Sequence, residues 1–187
     1  MLEPETAGPS SATARPSAEA ESASRQVLTF VLGGETYGVD ILRVQEIRGW
    51  SAVTKIPRAP QHVLGVLNLR GAIVPIVDLR TRLDLERVEY TAVTVIIVLS
   101  IVSGTARRDF GVVVDGVSDV VDVKSSEVRP PPEIGSSAAT SYIRGLVTIA
   151  ERMVVLLDID RLIGAELSGL EASADRAAER AAAAPYG

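Results

Sequence analysis

Among the 187 residues, the side chains placed to do chemistry are a single histidine, two aspartates that end apolar runs, and an arginine at a turn. Asp78 follows Ile73–Val77 and Asp158 follows Arg152–Leu157, so the two could pass for a general acid and base. Each stands directly before a short helical pattern, Leu79–Leu83 or Ile159–Ile163. There an aspartate accepts from unpaired backbone N–H groups, and the spacing favours this capping role. His62, in Pro60-Gln61-His62-Val63, has no carboxylate or hydroxyl at a spacing that marks it as a base. A small β-barrel enzyme using His62 or the Asp78/Asp158 pair is therefore the alternative reading. Arg70, in Asn68-Leu69-Arg70-Gly71-Ala72, projects a five-donor fork from a turn between two apolar strands. Such a fork suits a partner's carboxylate, or a carboxylate of this chain such as Glu46 or Asp40; both roles stand open.

Composition removes most other chemistry. With no cysteine there is no disulfide, no thiol nucleophile and no thiolate-held metal. One histidine excludes multi-histidine metal sites, so no metal or other cofactor is expected. The 15 glycines form neither a G-x-x-x-x-G-K-[ST] loop nor a G-x-G-x-x-G turn, which leaves nucleotide binding without a motif. A net charge of −5 and 4% aromatic content disfavour nucleic acid and anionic membrane alike. The N-terminus carries Glu3 and Glu5 where a secretion signal would be basic. The longest apolar run, Thr91–Val102, falls short of the roughly 20 residues of a spanning helix. A soluble cytoplasmic protein without direct membrane insertion is expected.

The elements that hold these residues are β-strands. All 25 Val and all 13 Ile fall between Val27 and Ile163. Residues 1–25, rich in Ala, Ser, Glu and Pro, cannot bury enough apolar surface to repay ordering and read as a disordered tail. Residues 166–187 read as an Ala-rich extension, helical or disordered. Between them run Gln26–Leu32, a Gly33-Gly34 hairpin and Thr36–Val39, then a long apolar segment Val39–Ile47. Leu64–Leu69 folds back at Gly71 onto Ile73–Val77. Val93–Val102 turns at Ser103-Gly104 into Asp109–Val114, and Val117–Val123 follows. Arg144–Ile149 and Arg152–Leu157 turn at Ala150-Glu151. Short strands with frequent turns indicate an all-β fold.

The chain also repeats itself. Tyr37-Gly38-Val39 through Val44, Glu46 and Ile47 matches Phe110-Gly111-Val112 through Val117, Asp119 and Val120. Gly65 through Val77-Asp78-Leu79 matches Gly145 through Leu157-Asp158-Ile159, with a longer loop around Pro130–Ser137 in the second copy. Two copies of one β unit imply two similar subdomains with a groove between them. Along Asp40–Arg48, strict alternation would put Leu42, Val44 and Glu46 on one face and Ile41, Arg43, Gln45 and Ile47 on the other. That pattern fits a core strand or a protein-docking strand.

Three blocks carry a resemblance to a known family: Tyr37-Gly38-Val39-Asp40-Ile41-Leu42-Arg43-Val44-Gln45-Glu46-Ile47-Arg48-Gly49, Gly65 through Arg80, and Gly111 through Val120, with Arg129-Pro130 and Tyr142-Ile143-Arg144-Gly145 beyond. In these blocks residues 26–165 closely resemble the CheW family, the coupling proteins of bacterial chemotaxis. The resemblance implies two five-stranded SH3-like β-barrels with short helices and no catalytic activity. It implies an adaptor that joins the cytoplasmic tip of a chemoreceptor to the regulatory domain of a CheA-type histidine kinase, and associates with further copies in rings. Carried over position by position, receptor binding falls on Val44, Glu46, Arg70, Val117 and Val120; the resemblance implies kinase binding at the barrel ends, assigned to Val53 beside the turn after Trp50 and to the loop near Val95. The receptor tip is helical, so the implied mode is a helix laid in a groove, with apolar anchors and a charged rim.

Overall fold

The computed structural model describes residues 24–86, 89–103, 106–132 and 140–164. The expected N-terminal tail, the C-terminal extension and the longer loop of the second copy therefore lie wholly or mostly outside the described residues. Ser24 and Arg25, read as the end of the tail, already pair with Lys124 and Val123 in the first strand.

Ten strands form two five-stranded sheets. β1 (Ser24–Leu32) and β2 (Glu35–Asp40) make a hairpin, and a 3-10 turn (Ile41–Arg43) leads to β3 (Val44–Gly49). β4 (Val63–Leu69), β5 (Ala72–Asp78) and the short helix α1 (Leu79–Arg82) follow. The second half begins with the hairpin of β6 (Val95–Ser103) and β7 (Ala106–Val114), continuing through β8 (Gly116–Lys124) and a 3-10 turn (Ser125–Glu127). β9 (Ile143–Ile149), β10 (Arg152–Leu157) and a helical turn over 159–164 close the described chain.

The strand orders are β3-β6-β7-β5-β4 and β8-β1-β2-β10-β9. The first sheet is continuous in sequence, whereas the second joins the N-terminal hairpin to the last three strands. Each sheet therefore takes two strands from one sequence copy and three from the other. A parallel pair seals each exchange, Ile76–Asp78 beside Gly111–Val113 in the first and Val154–Leu156 beside Thr36–Gly38 in the second. Bridges between Thr54 and Val66, and between Arg129 and Leu146, bring the chain beyond β3 and beyond β8 onto β4 and β9. Each sheet thus curls around its own core, as two SH3-like barrels require.

Among the described residues there are three cores. Val74, Ile76, Ile96, Val98 and Val113 fill the first barrel, and Val27, Val123, Val147, Val154 and Leu156 fill the second. The largest core lies between the barrels and draws Phe30 and Leu32 from one and Ile97, Leu99 and Phe110 from the other. β6 serves both faces, with Ile96 and Val98 in its barrel and Ile97, Leu99 and Ile101 in the central core. A strand buried on both sides has no polar face, which explains why its run is apolar but for the buried Ser100. Gly38 and Gly111 occupy matching positions for the same reason. A Cβ on Gly38 would lie 2.5 Å from Val27 Cγ1, and one on Gly111 would lie 2.4 Å from Ile76 Cδ1.

Two ion pairs mark the joints where the strand exchange occurs. Arg80 of α1 makes a bidentate pair with Asp115, whose Oδ2 also accepts from Gly33 N at 2.8 Å in the β1–β2 turn. Arg43 pairs with Asp160, whose Oδ1 accepts from Val102 N at 2.9 Å near the tip of β6. In one joint the junction between strands supplies the aspartate and the helix the arginine; in the other the charges are reversed.

Candidate functional site

The expected chemistry of the aspartates is structural. Asp78 Oδ1 accepts from Arg80 N at 2.8 Å and Thr81 N at 3.3 Å, while Oδ2 accepts from Tyr90 Oη at 2.8 Å. Asp158 Oδ1 accepts from Arg161 N at 3.0 Å. The two carboxylates cap separate helical starts in separate barrels, and no hydrogen bond among the described residues links them. His62 lies at the matching position to Tyr142: their carbonyls accept from Asp78 N and Asp158 N, each at 2.8 Å.

Four of the five expected receptor-binding residues lie on β3 and β8, one edge strand of each sheet, and Arg70 lies in the β4–β5 turn. β3 pairs only with β6, and β8 only with β1. Val44 lies opposite Leu99 and Val117 opposite Phe30, and both are half-buried against the central core. The two barrels thus each bring an edge valine to the seam between them. Val120, opposite Leu28 on β8, is 49% exposed.

Arg70 occupies the expected turn. Its φ of 54° and that of Gly71 at 90° make a tight hairpin, and Asn68 Oδ1 accepts from Gly71 N at 2.8 Å. Arg70 Nη2 lies 3.3 Å from Glu46 Oε2. Of the two intramolecular carboxylates weighed for it, Asp40 is engaged elsewhere, accepting from Leu42 N at 2.9 Å. The Arg70 side chain is 87% exposed, so the pair holds a charged fork at the surface without burying it.

The alternation expected along Asp40–Arg48 holds only in part. Within β3, Val44, Glu46 and Arg48 are half-buried, whereas Gln45 and Ile47 are exposed. Before it, the 3-10 turn capped by Asp40 breaks the strand and leaves Leu42 81% exposed. A bulge between Val44 and Glu46 then sets Val44 opposite Leu99 and Glu46 opposite Val98. Those neighbours belong to different cores, so Val44 looks to the central seam and Glu46 to the first barrel.

The model of the CheW-like domain matches residues 26–167. This chain belongs to the CheW family. It is 47% identical over 146 residues to the chemotaxis protein CheW of Klebsiella aerogenes, covering 78% of this chain and 86% of that one. It is 41% identical over 142 residues to CheW of Rhizobium meliloti, covering 76% and 89%. Its fold is similar to the crystal structure of the scaffolding protein TtCheW from Thermoanaerobacter tengcongensis, with a TM-score of 0.66 and 27% identity, covering 75% of this chain and 93% of that one. A CheW-family chain is a chemotaxis scaffold, so its working parts are surfaces.

The two residues expected at the kinase contact pack on different cores. Val53 packs on the core of the first barrel beside Gly65, and Val95 opens β6 at the edge of the central core. Sequence reading missed Val93 (70% exposed), Ile73 (62%) and Met153 (60%) as outward apolar positions. Ile73 and Met153 were findable, because the repeat equates them on β5 and β10. Among the described residues no helix is long and apolar enough to cross a membrane, and no cluster of His, Asp or Glu could hold a metal ion.

Proposed function

We propose that this chain is a non-enzymatic adaptor that couples the cytoplasmic tip of a chemoreceptor to a CheA-type histidine kinase. Receptor binding is assigned to Val44, Glu46, Arg70, Val117 and Val120, and kinase binding to Val53 and Val95. The observation that carries the reading is that two edge strands bring the half-buried Val44 and Val117 to the seam, while Glu46 of the same strand as Val44 holds the Arg70 fork at the surface. A helix laid there would gain apolar contact from Val44 and Val117 and a charged contact from the Arg70 fork. The kinase regulatory domain and further copies of this chain would meet the barrels away from the seam. The protein would then reach membrane arrays through its partners while itself remaining cytoplasmic.

The test is reconstitution with a receptor fragment and the kinase. Arg70→Ala and Val44→Asp should each yield folded protein that leaves kinase activity indifferent to receptor state. Val53→Asp should instead lose kinase capture while retaining receptor binding. Normal coupling by both seam variants at normal protein levels would refute the receptor assignment.

A further inference from the structure

The repeat offers an internal control for what each barrel encloses. At one end of the first barrel, Trp50, Leu64 and Tyr90 pack against the core, with the Trp50 and Tyr90 ring centroids 4.2 Å apart, and Thr94 is buried beside them. At the matching end of the second barrel the repeat puts Val123 in place of Trp50 and Arg144 in place of Leu64. Hairpin register puts Arg25 in place of Thr94, since Val27 pairs with Asp40 as Ile96 pairs with Val113. Among the described residues the Trp50 position of this plug has no aromatic counterpart in the second barrel, where a cavity of about 410 Å³ is found. Its floor is Val27, Val123, Val128 and Leu156.

Charge gathers at the mouth. Arg25 and Arg144 line the cavity, and neither makes an ion pair with a described residue. Asp40 and Ser125 also line it, and Asp40 Oδ1 is engaged by Leu42 N, so two cations face one carboxylate. No aromatic side chain among the described residues lines the cavity, which leaves a ring without a stacking surface there.

We propose that the second barrel binds a small aliphatic carboxylate in this cavity, its chain on the valine floor and its carboxylate between the forks of Arg25 and Arg144. The cavity is of a size that ligand sites commonly have, and a guanidinium fork matches a carboxylate in shape and charge. Its lining includes none of the residues assigned to receptor or kinase binding, and its occupancy does not depend on the adaptor reading.

Isothermal titration of the full chain with octanoate tests it. The expected result is saturable binding at one site. Arg144→Leu and Arg25→Thr, which copy the first barrel, should each weaken it at least tenfold. Val123→Trp should abolish it by restoring the plug, and octanol should bind at least tenfold more weakly than octanoate. Absence of saturable binding, equal binding of octanol, or unchanged affinity in both arginine variants would overturn the proposal. Both arginines are exposed, so their variants keep the test decisive if Val123→Trp fails to fold; circular dichroism establishes the fold of each.

Discussion

Glu46 and Arg70 hold one another at 3.3 Å with most of the arginine in water, a geometry that contributes little to stability. Replacing either residue by Ala should therefore shift unfolding free energy by less than about 1 kcal/mol, read from denaturant melts. The exchanged double variant, Glu46→Arg with Arg70→Glu, separates the two roles that the sequence left open. If the pair serves only itself, exchange restores coupling; if Arg70 serves the receptor, coupling stays lost. The place of Arg70 was legible because Asn68 and Gly71 are turn residues with a mechanism. Its partner was not, because only the fold shows Asp40 occupied by a backbone N–H. Tyr37 adds a pH dependence at the same scale. Burial, then Tyr142 and Glu35, hold its pKa above the ordinary 10.0, favouring the neutral phenol in the folded state. Its contribution is fully present below pH 10 and fades as pH rises through the higher folded value. Alkaline melts of the protein should fall more steeply with pH than those of Tyr37→Phe.

Elements were legible wherever pattern and turn chemistry agreed. The β4–β5 and β9–β10 hairpins fall where Arg70-Gly71 and Ala150-Glu151 predicted, and the second turn is the instructive one. Ala150 and Glu151 adopt φ of 46° and 65°, which non-glycine residues occupy at a cost. Ala150→Asn with Glu151→Gly should stabilise the protein by about 1 kcal/mol, raising the denaturant midpoint without changing the slope. The matching glycines of β2 and β7 predict the opposite sign. Gly111→Ala would press a methyl group against Ile76 and Ile96 in a full core and should cost about 1–3 kcal/mol. What sequence could not show is the break at Ile41–Arg43 and the bulge at the start of β3. The break rests on a local cap, Asp40 accepting from Leu42 N, that apolar alternation does not read, and the bulge on a cross-strand register between residues far apart in the chain.

At the scale of the molecule, the sequence repeat announced two similar barrels but not which strands each would own. Similarity between copies reports like environments, and a hairpin has the same environment whether it packs on its own copy or on the other. The structure chooses the other, and this ties the halves together more strongly than two beads on a string. A chain ending at Leu83 keeps the β1–β2 and β4–β5 hairpins but strips β3 of its paired strand β6. A chain starting at Val95 likewise strips β8 of β1. Each half would also expose its share of the central core, Phe30 and Leu32 in one, Ile97, Leu99 and Phe110 in the other. Fragments 24–83 and 95–164 should therefore each lack a cooperative thermal transition alone. Refolded together they should exchange hairpins and recover one transition, visible by circular dichroism and as a single species of summed mass on size exclusion. The whole chain should unfold in one step because the two barrels share the central core, which neither can expose without destabilising the other. A fragment that melts cooperatively by itself would show that the exchange of hairpins between the two sequence copies is incidental to stability.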